Sequence, residues 1–136
     1  MGIVRSIPPL RWAILIVDFD PVVGHEQGGE RRCLVVSYEP FHRSRRVTIC
    51  PITAARSEVR YPNEVPIPVG EAGQTKSGVI LVHQVRTISL ERGVPTLHRN
   101  GGRVHYVSAP AIRRQVRQAL ERHFGLDIPP SSDGMV

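Results

Sequence analysis

Apolar residues in this chain fall in short runs separated by polar stretches that contain glycine and proline, a pattern typical of strands joined by loops. The predicted strands, in chain order, are Ile14–Phe19, Arg32–Ser37, Arg46–Ile52 with Thr53 at its end, the edge strand Asn63–Pro68, Val79–Val82 running directly into His83–Ile88, and Arg103–Val107. Residues 91–102 are predicted to be a loop. Val79–Val82 is apolar without alternation, which indicates a strand buried on both faces.

One amphipathic helix follows the strands. Ser108 is its predicted N-cap, Pro110 lies in its first turn and Gly125 ends it. Apolar residues recur at helical spacing on one face, which is expected to pack on the sheet, and arginines occupy the other, solvated face: Ile112, Val116, Ala119, Leu120 and Phe124 against Arg113, Arg114, Arg117 and Arg122. Strands followed by one helix predict a mainly β fold with a C-terminal helix (α+β), its sheet closing toward a barrel.

The length of 136 residues fits one domain, predicted over residues 11–126, with a flexible lead-in at 1–10 and a C-terminal tail at 127–136. The first apolar run is too short to span a membrane, and Cys33 and Cys50 lie in apolar runs as buried thiols would. We therefore expect a cytoplasmic protein in a reducing compartment. No cysteine or histidine spacing indicates a metal site, and no cofactor is expected.

The formal charge of +6 indicates a polyanionic partner. Of the eighteen basic residues only Lys76 is a lysine, and the planar guanidinium of arginine suits phosphate oxygens. Arginine usage that reflects the coding composition of the genome is the alternative explanation.

The polar loop between the first two predicted strands is the densest cluster of candidate chemistry. Its glycines alternate with acids, a histidine, a glutamine and paired arginines: Asp18, Asp20, His25, Glu26, Gln27, Glu30, Arg31 and Arg32. Loops carried on rigid strands are where sites are usually placed, so the loop is a candidate site, and a solvated hairpin with paired charges is the alternative.

Four segments carry a specific resemblance. VDFDPVVGHEQGGERR, CPIT, YPNEVPIP and LVHQVRTI, in this order and before a helix ending HFGL, resemble the MazF/PemK toxins of bacterial toxin–antitoxin systems across about residues 11–126. The resemblance implies an SH3-like barrel of the MazF/PemK/CcdB type, a homodimer, and metal-independent, sequence-specific cleavage of single-stranded RNA. It also implies a cognate, MazE-like antitoxin whose acidic segment lies across the RNA-binding surface.

The resemblance assigns the two central catalytic positions to Arg31 and Thr53. Metal-free RNA cleavage also needs a base and an acid, for which Glu26 and His25 are the candidates, with His83 an alternative acid. The predicted RNA-binding residues are Gln27, Arg32, Arg56, Arg60, Tyr61, His83, Gln84 and Arg86. Further aromatic candidates for base stacking are Tyr38, Phe41 and His42.

Three departures from the family pattern leave the acid and base assignments open. The usual early acidic residue is replaced in Arg11-Trp12-Ala13, the usual proline after the catalytic arginine is Arg32, and the acid often found before Gln84 is His83. A catalytically weakened relative that only binds RNA or antitoxin is therefore one alternative. A toxin that poisons DNA gyrase on the same fold is another, since fold alone does not fix function.

Overall fold

The computed structural model describes residues 8–19, 29–95 and 103–131. The elements in these segments are β1 (Ile14–Asp18), β2 (Glu30–Val35), β3 (Arg46–Thr53), β4 (Glu64–Ile67), β5 (Gly78–Leu81), β6 (Arg86–Ser89), β7 (Gly93–Pro95) and helix α1 (Pro110–His123). Short 3-10 turns at Glu39–Ser44, Glu71–Gly73, Val82–Gln84 and Leu90–Arg92 connect several of them.

The strands form one antiparallel sheet in the order β4-β5-β3-β2-β1-β7, with β6 paired to β3 off this path. β3 is the longest strand and organises the sheet: its first half pairs with β6, and its last two residues pair with β5. Within the described segments the two ends of the path, β4 and β7, are not paired with each other, so the barrel stays open there. The predicted class, mainly β with a C-terminal helix, is confirmed.

Two apolar clusters cover the two faces of the central strands, because successive side chains of a strand point to opposite faces. Leu34 and Cys50 belong to the cluster that packs against Val116 of α1. Cys33 and Val35 belong to the cluster on the other face. Both cysteines are free thiols, and burial raises the pKa of each to about 12, as expected of inert core residues.

The predicted strand running from Val79 into Ile88 is wrong. The chain forms a 3-10 turn at Val82–Gln84 and splits the segment into β5 and β6. The turn is required because β5 pairs with the end of β3 while β6 pairs with its beginning. This break matters for the site, since it places His83 and Gln84 in a turn beside the end of β3.

Two other expectations between residues 91 and 107 are also wrong. Gly93–Pro95, inside the predicted loop, forms β7 against β1. The predicted strand Arg103–Val107 makes only an isolated bridge, between Tyr106 and Ala13. Both differences arise because β1 needs partners on its outer edge, a tertiary requirement that local hydrophobic patterning does not encode.

The start of α1 also differs from the prediction. Ala109, not Ser108, is the N-cap residue, and it has no side-chain cap. The carboxylate of Glu71 supplies the missing acceptor, because its Oε1 accepts the backbone N–H groups of Ser108 at 2.6 Å and Ala109 at 3.2 Å. A carboxylate at a helix N-terminus also interacts favourably with the helix dipole, so Glu71 ties the helix to the turn before β5.

Candidate active site

Arg31 and Thr53 lie on neighbouring strands at the same end of the sheet. Strands β2 and β3 pair from Val35 opposite Ile49 to Cys33 opposite Pro51, so Arg31 and Thr53 each lie two residues beyond the paired stretch. The Arg31 Nη2 donates a hydrogen bond of 3.1 Å to the carbonyl oxygen of Ile52, the residue before Thr53. The Arg31 side chain therefore contacts the residue that precedes Thr53, at the end of the β2–β3 pair.

The Arg31 guanidinium is half-buried and sparsely bonded. Burial lowers its pKa from the ordinary value, and nearby Cys33 opposes that shift. Among the described residues, the Ile52 carbonyl oxygen is the one hydrogen-bond acceptor that the five N–H donors of Arg31 contact. The charges of Arg31 and Arg86 both lower the pKa of the Cys33 thiol, against the larger effect of burial. The Arg86 guanidinium lies 5.3 Å from the centre of the Phe19 ring.

Thr53 ends β3 with its side chain almost fully covered. Its Oγ1 accepts the backbone N–H of Ala55 at 3.2 Å, which leaves the hydroxyl hydrogen able to donate elsewhere. Gly78 packs directly on the Thr53 backbone, and a Cβ added at Gly78 would stand 2.4 Å from the Thr53 carbonyl oxygen. The absence of a side chain at Gly78 thus helps to set the position of Thr53.

Two cavities open at this end of β3. The smaller, of about 250 Å³, is lined by Arg31, Arg32, Ile52 and Gln74 among others. The larger, of about 380 Å³, contains Thr53 together with most of the predicted RNA-binding residues, namely Arg56, Arg60, Tyr61, His83 and Gln84. Ile52 and Ala54 line the first cavity while Thr53 and Ala55 line the second, so alternate residues of one chain segment separate them.

Arg32 follows Arg31 directly, but its guanidinium makes internal contacts. Its Nε donates to Gln74 Oε1 at 2.8 Å and its Nη2 donates to the Ala72 carbonyl oxygen. Burial lowers the pKa of Arg32, and Gln74 is itself buried. These bonds hold the Glu71–Gly73 turn, in which Ala72 has a φ of 53°. The RNA-binding role of Arg32 stays a prediction, and its guanidinium already makes two hydrogen bonds to this turn and to Gln74.

A buried carboxylate that sequence patterns did not indicate lies behind two residues of the larger cavity's wall, Arg56 and His83. Glu64, the first residue of β4, has a side chain with 0% exposure. Its two oxygens accept a bidentate pair of bonds from Arg56 at 2.8 and 2.6 Å, and Oε2 also accepts His83 Nε2 at 2.8 Å. The backbone N–H of Arg60 donates to Oε1 at 2.9 Å. These bonds, the Arg56 pair foremost, lower the pKa of Glu64 to about 2.

The other predicted residues do not join this cluster. His25, Glu26 and Gln27 lie outside the described residues. The aromatic candidates Tyr38, Phe41 and His42 precede β3, whereas Thr53 ends it. The eight residues of β3 span on the order of 25 Å, so these side chains lie at the opposite end of the strand from Thr53. His42 is buried between Ser37 and Glu39, with its ring nitrogens 2.6 Å and 3.1 Å from their oxygens.

Within residues 8–19, 29–95 and 103–131, no three His, Cys, Asp or Glu side chains gather as a group that could hold a metal ion. No helix in the described part of the chain has the length and apolar character needed to cross a bilayer.

The arrangement agrees with a sequence comparison across most of the chain. Residues 10–124 match the family described as "PemK-like, MazF-like toxin of type II toxin-antitoxin system". The chain belongs to this family. Endoribonuclease EndoA of Bacillus subtilis (strain 168) is 36% identical over 83 residues, which cover 60% of this chain and 72% of EndoA.

Solved structures of MazF proteins share the fold. MazF (Form-I) from Deinococcus radiodurans superposes with a TM-score of 0.63 at 28% identity, covering 88% of this chain and 99% of that one. The MazE–MazF complex (Form-II) from the same organism gives a TM-score of 0.61 at 25% identity, covering 89% and 99%. The MazF-type fold predicted for this chain is confirmed.

Glu64 and Gln74 are the residues of this MazF-like site that pattern reasoning passed over. Glu64 had no signal in the pattern, since in YPNEVPIP it shares its side of the strand with the exposed Pro66, while Val65 and Ile67 form the buried side. Its burial and its pairing with Arg56 and His83 are features of the folded chain. Gln74 had no signal either, because it lies in a turn-rich loop.

Proposed function

We propose that this MazF-like chain is the toxin of a type II toxin–antitoxin system and a metal-independent, sequence-specific endoribonuclease that cleaves single-stranded RNA. The single observation that carries the proposal is the hydrogen bond that places the Arg31 guanidinium against the residue that precedes Thr53. The net charge of +6 and the likeness to Endoribonuclease EndoA support the same conclusion.

The proposed reaction uses the RNA 2′-hydroxyl as its own nucleophile. The hydroxyl loses its proton to a base, the 2′ oxygen bonds to phosphorus, and the bond between phosphorus and the 5′ oxygen breaks. The leaving 5′ oxygen takes a proton from an acid, so the products carry a 2′,3′-cyclic phosphate and a 5′-hydroxyl. The substrate supplies proximity, and the protein must supply charge stabilisation and proton transfer.

Arg31 is assigned the stabilisation of charge on the phosphorane. A guanidinium presents parallel N–H donors that match two phosphate oxygens, and its partial burial strengthens that interaction. Thr53 is assigned phosphate binding, because its hydroxyl hydrogen remains able to donate to a non-bridging oxygen while its oxygen accepts from Ala55. A threonine hydroxyl is too weak an acid for proton transfer near neutral pH, so acid and base come from other side chains.

Glu26 as base and His25 as acid remain predictions that lie outside the described residues. His83 is the alternative acid, and it lines the same cavity as Thr53. Histidine is the side chain whose ordinary pKa lies nearest neutral pH, which suits it to proton transfer. The Nε2 of His83 lies 2.8 Å from Oε2 of Glu64.

The larger cavity is proposed to hold RNA bases and phosphates beside the cleaved bond. Tyr61 is 56% exposed and packs edge-on against His83, with ring centres 5.7 Å apart. An exposed ring of this kind can stack on an unpaired base, as single-strand RNA readers commonly do. Gln84 and Arg60 on the same cavity wall offer hydrogen-bond donors for base edges or phosphates.

We also propose a homodimer and a cognate, MazE-like antitoxin as protein partners, acting in the cytoplasm. An acidic, extended antitoxin segment fits a basic surface at the arginine-lined end of the sheet. The MazE–MazF complex from Deinococcus radiodurans, which shares the fold, supports this kind of partner.

The test is incubation of the purified protein with a long mixed-sequence RNA in the presence of EDTA. We expect cuts at a short recurring sequence, with 2′,3′-cyclic phosphate and 5′-hydroxyl ends mapped by end-specific ligation. Cleavage that requires added divalent metal would contradict the metal-independent mechanism. No cleavage of any RNA, with retained binding of an acidic antitoxin peptide, would instead favour a binding-only relative, and inhibition of DNA gyrase would favour the gyrase poison.

A further inference from the structure

Glu64 is a buried carboxylate with every acceptor position in use. Its Oε1 accepts from Arg56 Nη1 and the Arg60 backbone, and its Oε2 accepts from Arg56 Nη2 and His83 Nε2. A carboxylate offers about four lone-pair positions, so the four contacts saturate it. A carboxylate with four hydrogen bonds holds its partners in one geometry, because moving any of them would leave a buried negative charge without part of its compensation.

The contact with His83 fixes more than the position of the ring. An ionised carboxylate only accepts hydrogen bonds, so the nitrogen 2.8 Å from Glu64 must carry the proton. In the neutral imidazole the proton is then on Nε2 and the lone pair is on Nδ1. The hydrogen bond at one ring nitrogen thereby determines what the other nitrogen can do.

The same carboxylate orients Arg56. The Arg56 guanidinium pairs with Glu64 through two bonds and also donates to the Glu58 carbonyl oxygen at 2.7 Å. Both Arg56 and His83 line the cavity that contains Thr53. Glu64 itself has no exposed side-chain surface and contributes nothing to the cavity wall, so any effect on RNA must pass through these two neighbours.

We propose that Glu64 is a positioning residue of the RNA-cleaving site, which holds His83 as the Nε2–H tautomer and locks Arg56 beside Thr53. Because Glu64 binds Nε2–H, the Nδ1 atom of neutral His83 can accept a proton. When His83 is protonated, its Nδ1–H group can donate one. This role rests on the proposed endoribonuclease function and extends it to a residue that touches no substrate.

The first test measures the tautomer of His83 in the absence of RNA. Two-bond ¹⁵N–¹H NMR correlations of the uniformly labelled wild-type protein, taken where His83 is neutral, should show a protonated Nε2 and an unprotonated Nδ1. In Glu64→Gln, whose amide nitrogen donates, this pattern should weaken or reverse. Glu58→Gln is the matched control, because Glu58 is an exposed acid of the same loop, and it should leave the His83 pattern unchanged. A protonated Nδ1 in the wild type would overturn the proposal even if Glu64→Gln fails to fold.

The second test measures kcat and KM for RNA cleavage. Glu64→Gln should lower kcat by about 10²-fold with KM changed much less, since general acid–base contributions are of that size. Glu121→Gln, an exposed helix acid, is the activity control. Unchanged kcat in a folded Glu64→Gln protein would overturn the positioning role. If the wild type cleaves no RNA, the proposed function fails, and the tautomer measurement still decides whether Glu64 controls His83.

Discussion

The Arg31 guanidinium donates a hydrogen bond of 3.1 Å to the carbonyl oxygen of Ile52, the residue before Thr53. A backbone carbonyl carries no net charge and does not change its protonation, so the contact holds the guanidinium beside the residue that precedes Thr53 without neutralising its charge. Arg32 makes the contrast, since its guanidinium is engaged by Gln74 and the Ala72 carbonyl oxygen. Adjacent arginines on one strand therefore have different expected roles, catalysis for Arg31 and structure for Arg32.

Arg31→Ala is expected to reduce RNA cleavage by on the order of 10²–10³-fold or more, because one oriented charge donor is lost from the phosphorane. Arg31→Lys should recover little of the rate, since an ammonium lacks the planar fork. Single-turnover cleavage of a defined RNA measures both. Arg114→Ala, on the exposed face of α1, is the control for net charge. Full activity in a folded Arg31→Ala protein would remove the proposed mechanism.

Arg32→Ala is expected to act first on stability. Removing the guanidinium leaves Gln74 Oε1 and the Ala72 carbonyl oxygen without their donors, at a cost of about 1–3 kcal/mol in the free energy of unfolding. Urea unfolding followed by circular dichroism measures the change, with the exposed Arg117→Ala as control. An unchanged urea midpoint would show that these bonds contribute little to the fold.

Gly78→Ala is expected to disturb Thr53 from the neighbouring strand. The added Cβ would lie 2.4 Å from the Thr53 carbonyl oxygen, so β3 and β5 must separate locally. Overpacking of this kind costs about 1–3 kcal/mol of unfolding free energy, and cleavage should fall with it. Ser77→Ala, one residue earlier and exposed, should change neither quantity. Wild-type stability and rate in Gly78→Ala would mean that the strand edge relaxes without moving the threonine.

Stability should fall in acid partly through Glu64. Its pKa is lowered to about 2 in the folded protein, chiefly by Arg56, so the ionised form stabilises the fold. That contribution is complete above the ordinary glutamate value of 4.5 and is lost as the pH falls through 2. The facing groups are the Arg56 guanidinium, the His83 ring and the Arg60 backbone N–H.

The measurement is the urea midpoint of wild type and Glu64→Gln at a series of pH values between 5 and 2. The wild-type midpoint should fall more steeply over this window, and the two curves should converge at its acidic end. Glu39 and Glu58, whose pKa values are also lowered, are present in both proteins and cancel in the difference. Parallel curves would contradict the assigned pKa of Glu64.

Sequence pattern by itself determined the fold class, the helix, the buried cysteines and the family. Short apolar runs and helical spacing report local burial, and the segments around Arg31 and Thr53 report the family directly. The pattern placed several strand boundaries close to where they lie, as at Arg46 for β3.

Only the tertiary structure decided which residues meet. The Arg31 side chain meets the Ile52 carbonyl oxygen, the turn at Val82–Gln84 places His83 against Glu64, and Glu71 contacts the start of a helix far along the chain. Each of these contacts joins residues distant in sequence, and a periodicity of two or 3.6 residues contains no information on such pairs. Adjacent arginines look alike in sequence, and it is their opposite directions on a strand that separate them.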